Sequence, residues 1–268
     1  MEVHHHSRLE HDNHGKKKFK EYFLEFLMLF LAVTLGFFAE NIREKLGDRS
    51  KEKEYIESIK KDLAEDTTAL NAWIPNLFDK VNGFDTLISL LQVPGNNPRG
   101  ADLYYYGRLS TRARVFSANN NTITELKNSG NFRLITNKII INKLINFQKI
   151  IDGYINLSAV DNKEAEMLYP LLGKIFNAPV FNTMIKTDAE ASAYAYDSVT
   201  ASIAMVDLTK PPGNPQLLNH TEEDINQLIF YLHERKSTCV GEIRLLKAQK
   251  EYAAALIQAI NKEYSLND

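Results

Sequence analysis

Phe26-Leu27-Met28-Leu29-Phe30-Leu31-Ala32-Val33-Thr34-Leu35-Gly36-Phe37-Phe38-Ala39 carries no charged side chain and shows no apolar/polar alternation. Extended back over Tyr22, Phe23, Leu24 and Glu25, the run reaches 18 residues. As a helix rising ~1.5 Å per residue it spans roughly 27 Å, close to the hydrocarbon thickness of a bilayer. A core helix of a soluble protein keeps a polar stripe, whereas this one is apolar on every face. The stretch therefore predicts a single transmembrane helix. A cleaved signal peptide also sets basic residues before an apolar run. Here Phe37-Phe38-Ala39-Glu40-Asn41 lacks a small-x-small cleavage site and the helical pattern runs straight on. The expected organisation is a flexible His/Lys-rich tail over 1–18, a transmembrane helix over 19–40, and a helical stalk and bundle over 41–268.

On the N-terminal side, Lys16, Lys17, Lys18 and Lys20 favour a cytoplasmic leader, and Arg43, Lys45, Arg49, Lys51 and Lys53 weigh the other way. A first span behind a basic leader behaves as a signal anchor. The expectation is N-terminus inside, with the domain on the periplasmic side of a bacterial inner membrane.

On the C-terminal side the chain turns charged but keeps a helical period. Ile56, Leu63, Leu70, Leu77, Phe84 and Leu91 recur every seven residues, with Ile59, Ile74, Val81 and Ile88 beside them. Pro75 is expected to kink or interrupt this stalk, and Gln92 to Gly100 to end it. A loop rich in Tyr and Arg follows, then a short helix from Asn121-Thr122 through Leu126, stopped at Ser129-Gly130-Asn131. Asn137 is suited to cap a further helix whose apolar face is Ile140, Leu144, Phe147, Ile151, Tyr154 and Leu157. That helix reads to about Phe176, with Pro170 and Gly173 as breaks. Asp188 to Val206 reads as another helix, and Lys210 to Pro215 as a loop. Thr221 and Asp224 form a capping box, with Asp where Glu or Gln is usual. From there Ile225, Leu232, Cys239, Leu246, Ala253 and Ile260 recur every seven residues, and Ile229, Ile243, Ile257 and Tyr264 hold the companion position, which Lys236 and Lys250 interrupt. This last helix is expected to pair antiparallel with the stalk or with a second copy. The expected fold is all-α: one transmembrane helix continuing into a stalk, with an antiparallel bundle of about four helices.

Bulk composition narrows function by exclusion. The 268 residues carry a formal net charge of -2, which gives no reason to expect nucleic acid, since that usually needs a basic face. One cysteine, Cys239, excludes an intrachain disulfide.

Two stretches taken together resemble a known family. One is Lys20-Glu21-Tyr22-Phe23-Leu24-Glu25-Phe26 through Phe38-Ala39-Glu40-Asn41-Ile42-Arg43-Glu44, followed by the charged run Lys51 to Leu63. The other is Thr124-Glu125-Leu126-Lys127-Asn128-Ser129-Gly130-Asn131-Phe132-Arg133-Leu134-Ile135-Thr136-Asn137-Lys138. The pair resembles uncharacterised single-pass membrane proteins common in Bacteroidota, over roughly residues 16–155. The resemblance implies a membrane-anchored helical domain and no assigned activity.

Four features are candidates for chemistry. His4, His5, His6, His11 and His14 concentrate imidazoles that bind transition metals, but on a tail without a scaffold to set coordination geometry. Glu25 is a carboxylate in the apolar helix, either interfacial or facing a neighbouring helix in an oligomer. Tyr104, Tyr105 and Tyr106 with Arg108, Arg112 and Arg114 pair aromatic rings with guanidinium groups, a combination that suits an anionic ligand or a membrane surface. Lys236 and Lys250 sit on the heptad seam, where a charge can set register. No nucleophile elbow, glycine-rich phosphate loop or paired-histidine zinc motif occurs, so neither an enzyme nor a cofactor is expected. The leading expectation is a membrane-anchored interaction or scaffold protein, with the lipid bilayer and either itself or another membrane protein as partners. The alternatives are an extracytoplasmic ligand-sensing bundle and an ion- or proton-linked membrane subunit using Glu25.

Overall fold

The computed structural model describes residues 14–113, 115–185 and 208–266. It is all-α: α1 His14–Leu91, α2 Gly100–Ser110, α3 Asn121–Asn128, α4 Lys138–Ile175, α5 Ala178–Asn182 and α6 Glu222–Tyr264. A 3-10 turn, Asn131–Leu134, joins α3 to the approach of α4. The one β contact among the described residues is an isolated antiparallel bridge between Ile185 and Leu208. The expected helix over Asp188 to Val206 lies outside the described residues.

Two compact units divide the chain, Met1–Glu54 and Tyr55–Asp268. In the first, α1 is long and apolar enough to cross a membrane, and none of its most apolar 18-residue window is buried. Phe26, Met28, Leu29, Phe30, Leu35, Phe37 and Phe38 all stand exposed. Such a surface is stable in hydrocarbon, and unstable in water.

The second unit rests on the α1 segment from Tyr55 onward together with α4 and α6. Every α1 heptad residue expected to face a core is buried, from Ile56 to Leu91. α4 and α6 pack closest. As numbers fall along α4 they rise along α6: Lys174 meets Asp224, Asp161 meets Arg235, Ser158 meets Glu242, and Asn137 meets Glu263. The two are therefore antiparallel over their whole length. Gly241 permits the approach, since a Cβ there would come within 2.9 Å of Leu157 Cδ2. α1 also runs antiparallel to α6, through Lys247 on the Phe78 ring and Lys236 on Asp85. The expected pairing of the last helix with the stalk is present, but its closest partner is α4. Helices that carry glycine at a crossing approach more nearly than those separated by Phe and Leu.

Several local readings are met residue by residue. Asn137 Oδ1 accepts from the Ile139 and Ile140 amides, capping α4. Thr221 and Asp224 exchange both capping-box bonds at the start of α6. Gly130 follows α3 with φ of 70°, in the left-handed region that glycine adopts without a Cβ clash.

Three expectations are corrected. α1 runs through Pro75 without interruption. Pro75 removes one donor to the Asn71 carbonyl, and both residues are exposed, so the freed acceptor is open to solvent and costs little. α4 likewise passes Pro170 and Gly173, both on its exposed side, and ends at Ile175. The Tyr/Arg-rich segment is a helix and not a loop. Gly100, Leu103, Tyr104, Gly107 and Ser110 line its buried face at helical spacing. Two glycines hid that period, and both are there for proximity. A Cβ on Gly107 would sit 2.8 Å from the Phe176 ring, and one on Gly100 would strike the Pro215 carbonyl.

Acidic side chains of α1 organise the segment before α3. The Asn119 amide donates to Asp66 Oδ1 at 2.7 Å, Asn119 Nδ2 to Glu65 at 2.8 Å, and the Thr122 amide to Asp62 at 3.2 Å. Asp62 thus serves α3 as a cap borrowed from another helix, placing a negative charge at its N-terminal dipole.

Candidate functional site

One heptad position of α6 reads Leu228, Arg235, Glu242, Gln249, Leu256, and all five side chains are fully buried. The apolar stripe of α4 likewise passes through Tyr154, Ser158 and Asp161. With Lys80 of α1 these residues form a polar layer inside the bundle, with apolar clusters to either side.

Arg235 organises the layer. Its Nη2 donates to Asp161 Oδ1 at 2.7 Å and its Nε to the same oxygen at 3.0 Å. Lys80 Nζ takes the other carboxylate oxygen at 2.8 Å. Arg235 also donates from Nη1 to the Ser110 carbonyl and from Nη2 to the Arg112 carbonyl. These are acceptors at and just beyond the end of α2 that no helical amide reaches. The Phe84 ring packs against both cations, 5.4 Å from Arg235 and 5.9 Å from Lys80. Burial alone would raise the Asp161 pKa, but Lys80 and Arg235 outweigh it and hold the carboxyl below the usual range.

Glu242 is differently placed. Ser158 Oγ donates to its Oε1 at 2.8 Å, and its Oε2 has no partner. Burial, assisted by the charge of Asp161, pushes its pKa up to about 7. Cys239 lies between, with its thiol pushed up to about 12 by burial, so it is neither a thiolate nor a nucleophile at neutral pH. Ligand atoms of Asp161, Cys239 and Glu242 lie within 4.8 Å of one another, a spacing that suits a metal. The chemistry does not suit one. Both Asp161 oxygens are taken by cations, and the thiol holds its proton. The layer is an ion-pair network that ties α1, α4 and α6 to the end of α2.

Next to it lies a cleft of about 220 Å³ between α1 and α2. Trp73, Leu77, Gly83 and Phe84 line it from α1, and Tyr105, Tyr106 and Leu109 from α2. Lys80, Ser110 and Arg112 belong to the lining and also to the network, Lys80 through its ammonium and the other two through their carbonyls. A Cβ added at Gly83 would meet the Tyr106 ring at 3.4 Å, an ordinary van der Waals contact. Among the described residues the Arg112 guanidinium has no carboxylate partner, and Trp73 Nε1 is shut off from solvent without an acceptor. Asn76 and an exposed carboxylate, Asp79, complete the lining.

The Tyr/Arg cluster expected from the sequence is thus divided by the helix it forms. Tyr105, Tyr106 and Arg112 reach the cleft. Tyr104 is core: its hydroxyl donates to the Gln216 carbonyl at 2.9 Å and accepts from the Asn177 amide at 2.8 Å. Arg108 packs its guanidinium 5.6 Å over the Phe181 ring. Arg114 lies outside the described residues. So do His4, His5, His6 and His11, while His14 is the first residue of α1. Glu25 is exposed on the apolar part of α1. Lys236 pairs with Asp85 at 2.6 Å at the bundle surface.

Sequence reasoning missed Lys80, Asp161, Arg235, Glu242 and Gln249. One signal was available: Leu228 and Leu256 stand four heptads apart, with a polar residue at every intervening step.

The chain matches no protein-family model, no curated protein and no solved structure.

Proposed function

We propose that this chain is a membrane-anchored helical bundle that binds a small ligand in the cleft between α1 and α2. The observation that carries the reading is Arg112, a cation without a carboxylate partner among the described residues, lining a cleft walled by aromatic rings. Ligand sites combine apolar walls with a few placed polar groups, and this cleft has that make-up. The heptad seams at both ends of the domain, which suit a scaffold, are filled in the second unit by the chain's own helices, which favours the cleft as the binding surface.

Anchoring is supported by the bare apolar surface of α1 before Glu54. The lysines before the span favour a cytoplasmic N-terminus, with the bundle on the far side of a bacterial inner membrane. Glu25 lies about one turn inside the span's start, where it sets the depth of the helix at headgroup level. The resemblance to single-pass proteins of Bacteroidota points the same way. Two measurements test the reading. Alkaline carbonate should leave the full chain in the membrane pellet, and its release into the supernatant would refute anchoring. A thermal-shift screen of the detergent-solubilised chain against small organic acids, bases and neutral aromatics should raise the melting temperature for some of them. A flat response across all three classes would refute ligand binding.

A further inference from the structure

We infer that the ligand of the α1/α2 cleft is a small planar carboxylate, its ring between the aromatic walls and its charge on Arg112 with Lys80 beside it. This rests on the reading of the cleft as a ligand site and adds the chemical class.

Three observations select that class. The first is size. About 220 Å³ falls below the ~300–1,000 Å³ of sites for drug-sized molecules, which limits the guest to one ring and a short substituent. The second is shape. Trp73, Tyr105 and Tyr106 offer ring faces and edges that favour a flat apolar body.

The third is charge. Inside the polar layer Lys80 and Arg235 share a single carboxylate, Asp161, whose two oxygens are already divided between them. Arg112 adds a further cation on the cleft lining, and no carboxylate among the described residues pairs with it. Asp79, the lining's one carboxylate, is exposed and so screened by water. An anion placed there gains a charge-assisted hydrogen bond, a neutral ring leaves the guanidinium without one, and a cation meets two like charges. The site is also pre-organised. Arg235 holds the Ser110 and Arg112 carbonyls, so the backbone beneath the guanidinium is fixed before any ligand arrives.

Trp73 is the only tryptophan in the chain, so its fluorescence reports on this cleft without labelling. The test titrates the full chain, in non-ionic detergent, with benzoate, benzamide and benzamidine. Benzoate should shift the Trp73 emission saturably, with a Kd on the order of a millimolar. It should bind at least about tenfold tighter than benzamide, and benzamidine should give no saturable change. Arg112→Gln should abolish the preference for benzoate over benzamide while leaving the melting temperature of the unliganded chain unchanged, and a preference that survives the substitution would overturn the role of Arg112. Equal affinity for benzoate and benzamide would overturn the carboxylate claim and leave the ligand site standing. Preference for benzamidine would overturn its sign. No saturable change with any of the three probes would overturn the inference, and the ligand-site reading would fall with it if the thermal-shift screen were also flat.

Discussion

Arg235 and Asp161 meet at 2.7 Å with side chains 0% and 1% exposed, a fully buried ion pair between α6 and α4. Such a pair stabilises little relative to a well-packed apolar substitute, because both ions have lost their water. Removing one partner is another matter. Asp161→Asn strands two cations, Arg235 and Lys80, and should cost roughly 3–5 kcal/mol. Arg235→Met leaves Lys80 on Asp161 and should cost distinctly less. Urea unfolding of both variants checks the order, and equal or reversed losses would show that Lys80 does not share the charge.

Glu242 should make the bundle less stable as pH rises. Its pKa stands near 4.5 unfolded and is pushed up to about 7 when folded. Between those values the folded state keeps a proton that the unfolded chain releases. The stability it favours is therefore full below about pH 4.5, and is lost as pH climbs through 7, by at most roughly 3 kcal/mol. Glu242→Gln should match the parent at pH 4.5 and exceed it at pH 8, as read from melting temperatures at the two values. A variant with the parent's pH slope would place the titration elsewhere.

Two glycines should respond oppositely to alanine. Gly107 faces the Phe176 ring, which is fully buried and boxed in by Tyr104 and Phe181. Gly107→Ala should destabilise by about 1–3 kcal/mol through overpacking. Gly241 meets only the far end of the Leu157 side chain. Gly241→Ala gains about 1 kcal/mol of helix propensity against that adjustment and should be close to neutral. Calorimetry of both variants separates the cases.

Asn137 closes one end of the α4/α6 pair. Its Oδ1 caps α4, and its Nδ2 donates to Glu263 at 2.9 Å. Asn137→Ala should cost about 1 kcal/mol, and Asn137→Asp, which keeps the cap but faces Glu263 with a like charge, should recover most of it in high salt. A loss that salt leaves unchanged in the Asp variant would assign the effect to the lost amide bond instead.

The local elements were legible because their causes are local. A run with no charge on any face, the seven-residue recurrence of Ile56 to Leu91, the Asn137 cap, the Thr221/Asp224 box and the turn at Gly130 each depend on neighbours within a turn or two. The chain thereby determined an apolar N-terminal helix and an all-α bundle; it grouped Tyr104, Tyr105, Tyr106, Arg108, Arg112 and Arg114 by composition but did not say which of them share a surface. Only the tertiary structure decided the rest. Periodicity says which residues share a face but not which helix covers it, so only the folded chain makes α4 the nearest partner of α6. A charged residue in an apolar stripe can be buried only if a counter-charge arrives from elsewhere, and Arg235 receives Asp161 from 74 residues away. The cleft depends on distance in the same way. Trp73 and Tyr106 line it from two different helices, α1 and α2, a fact of packing that no single segment contains.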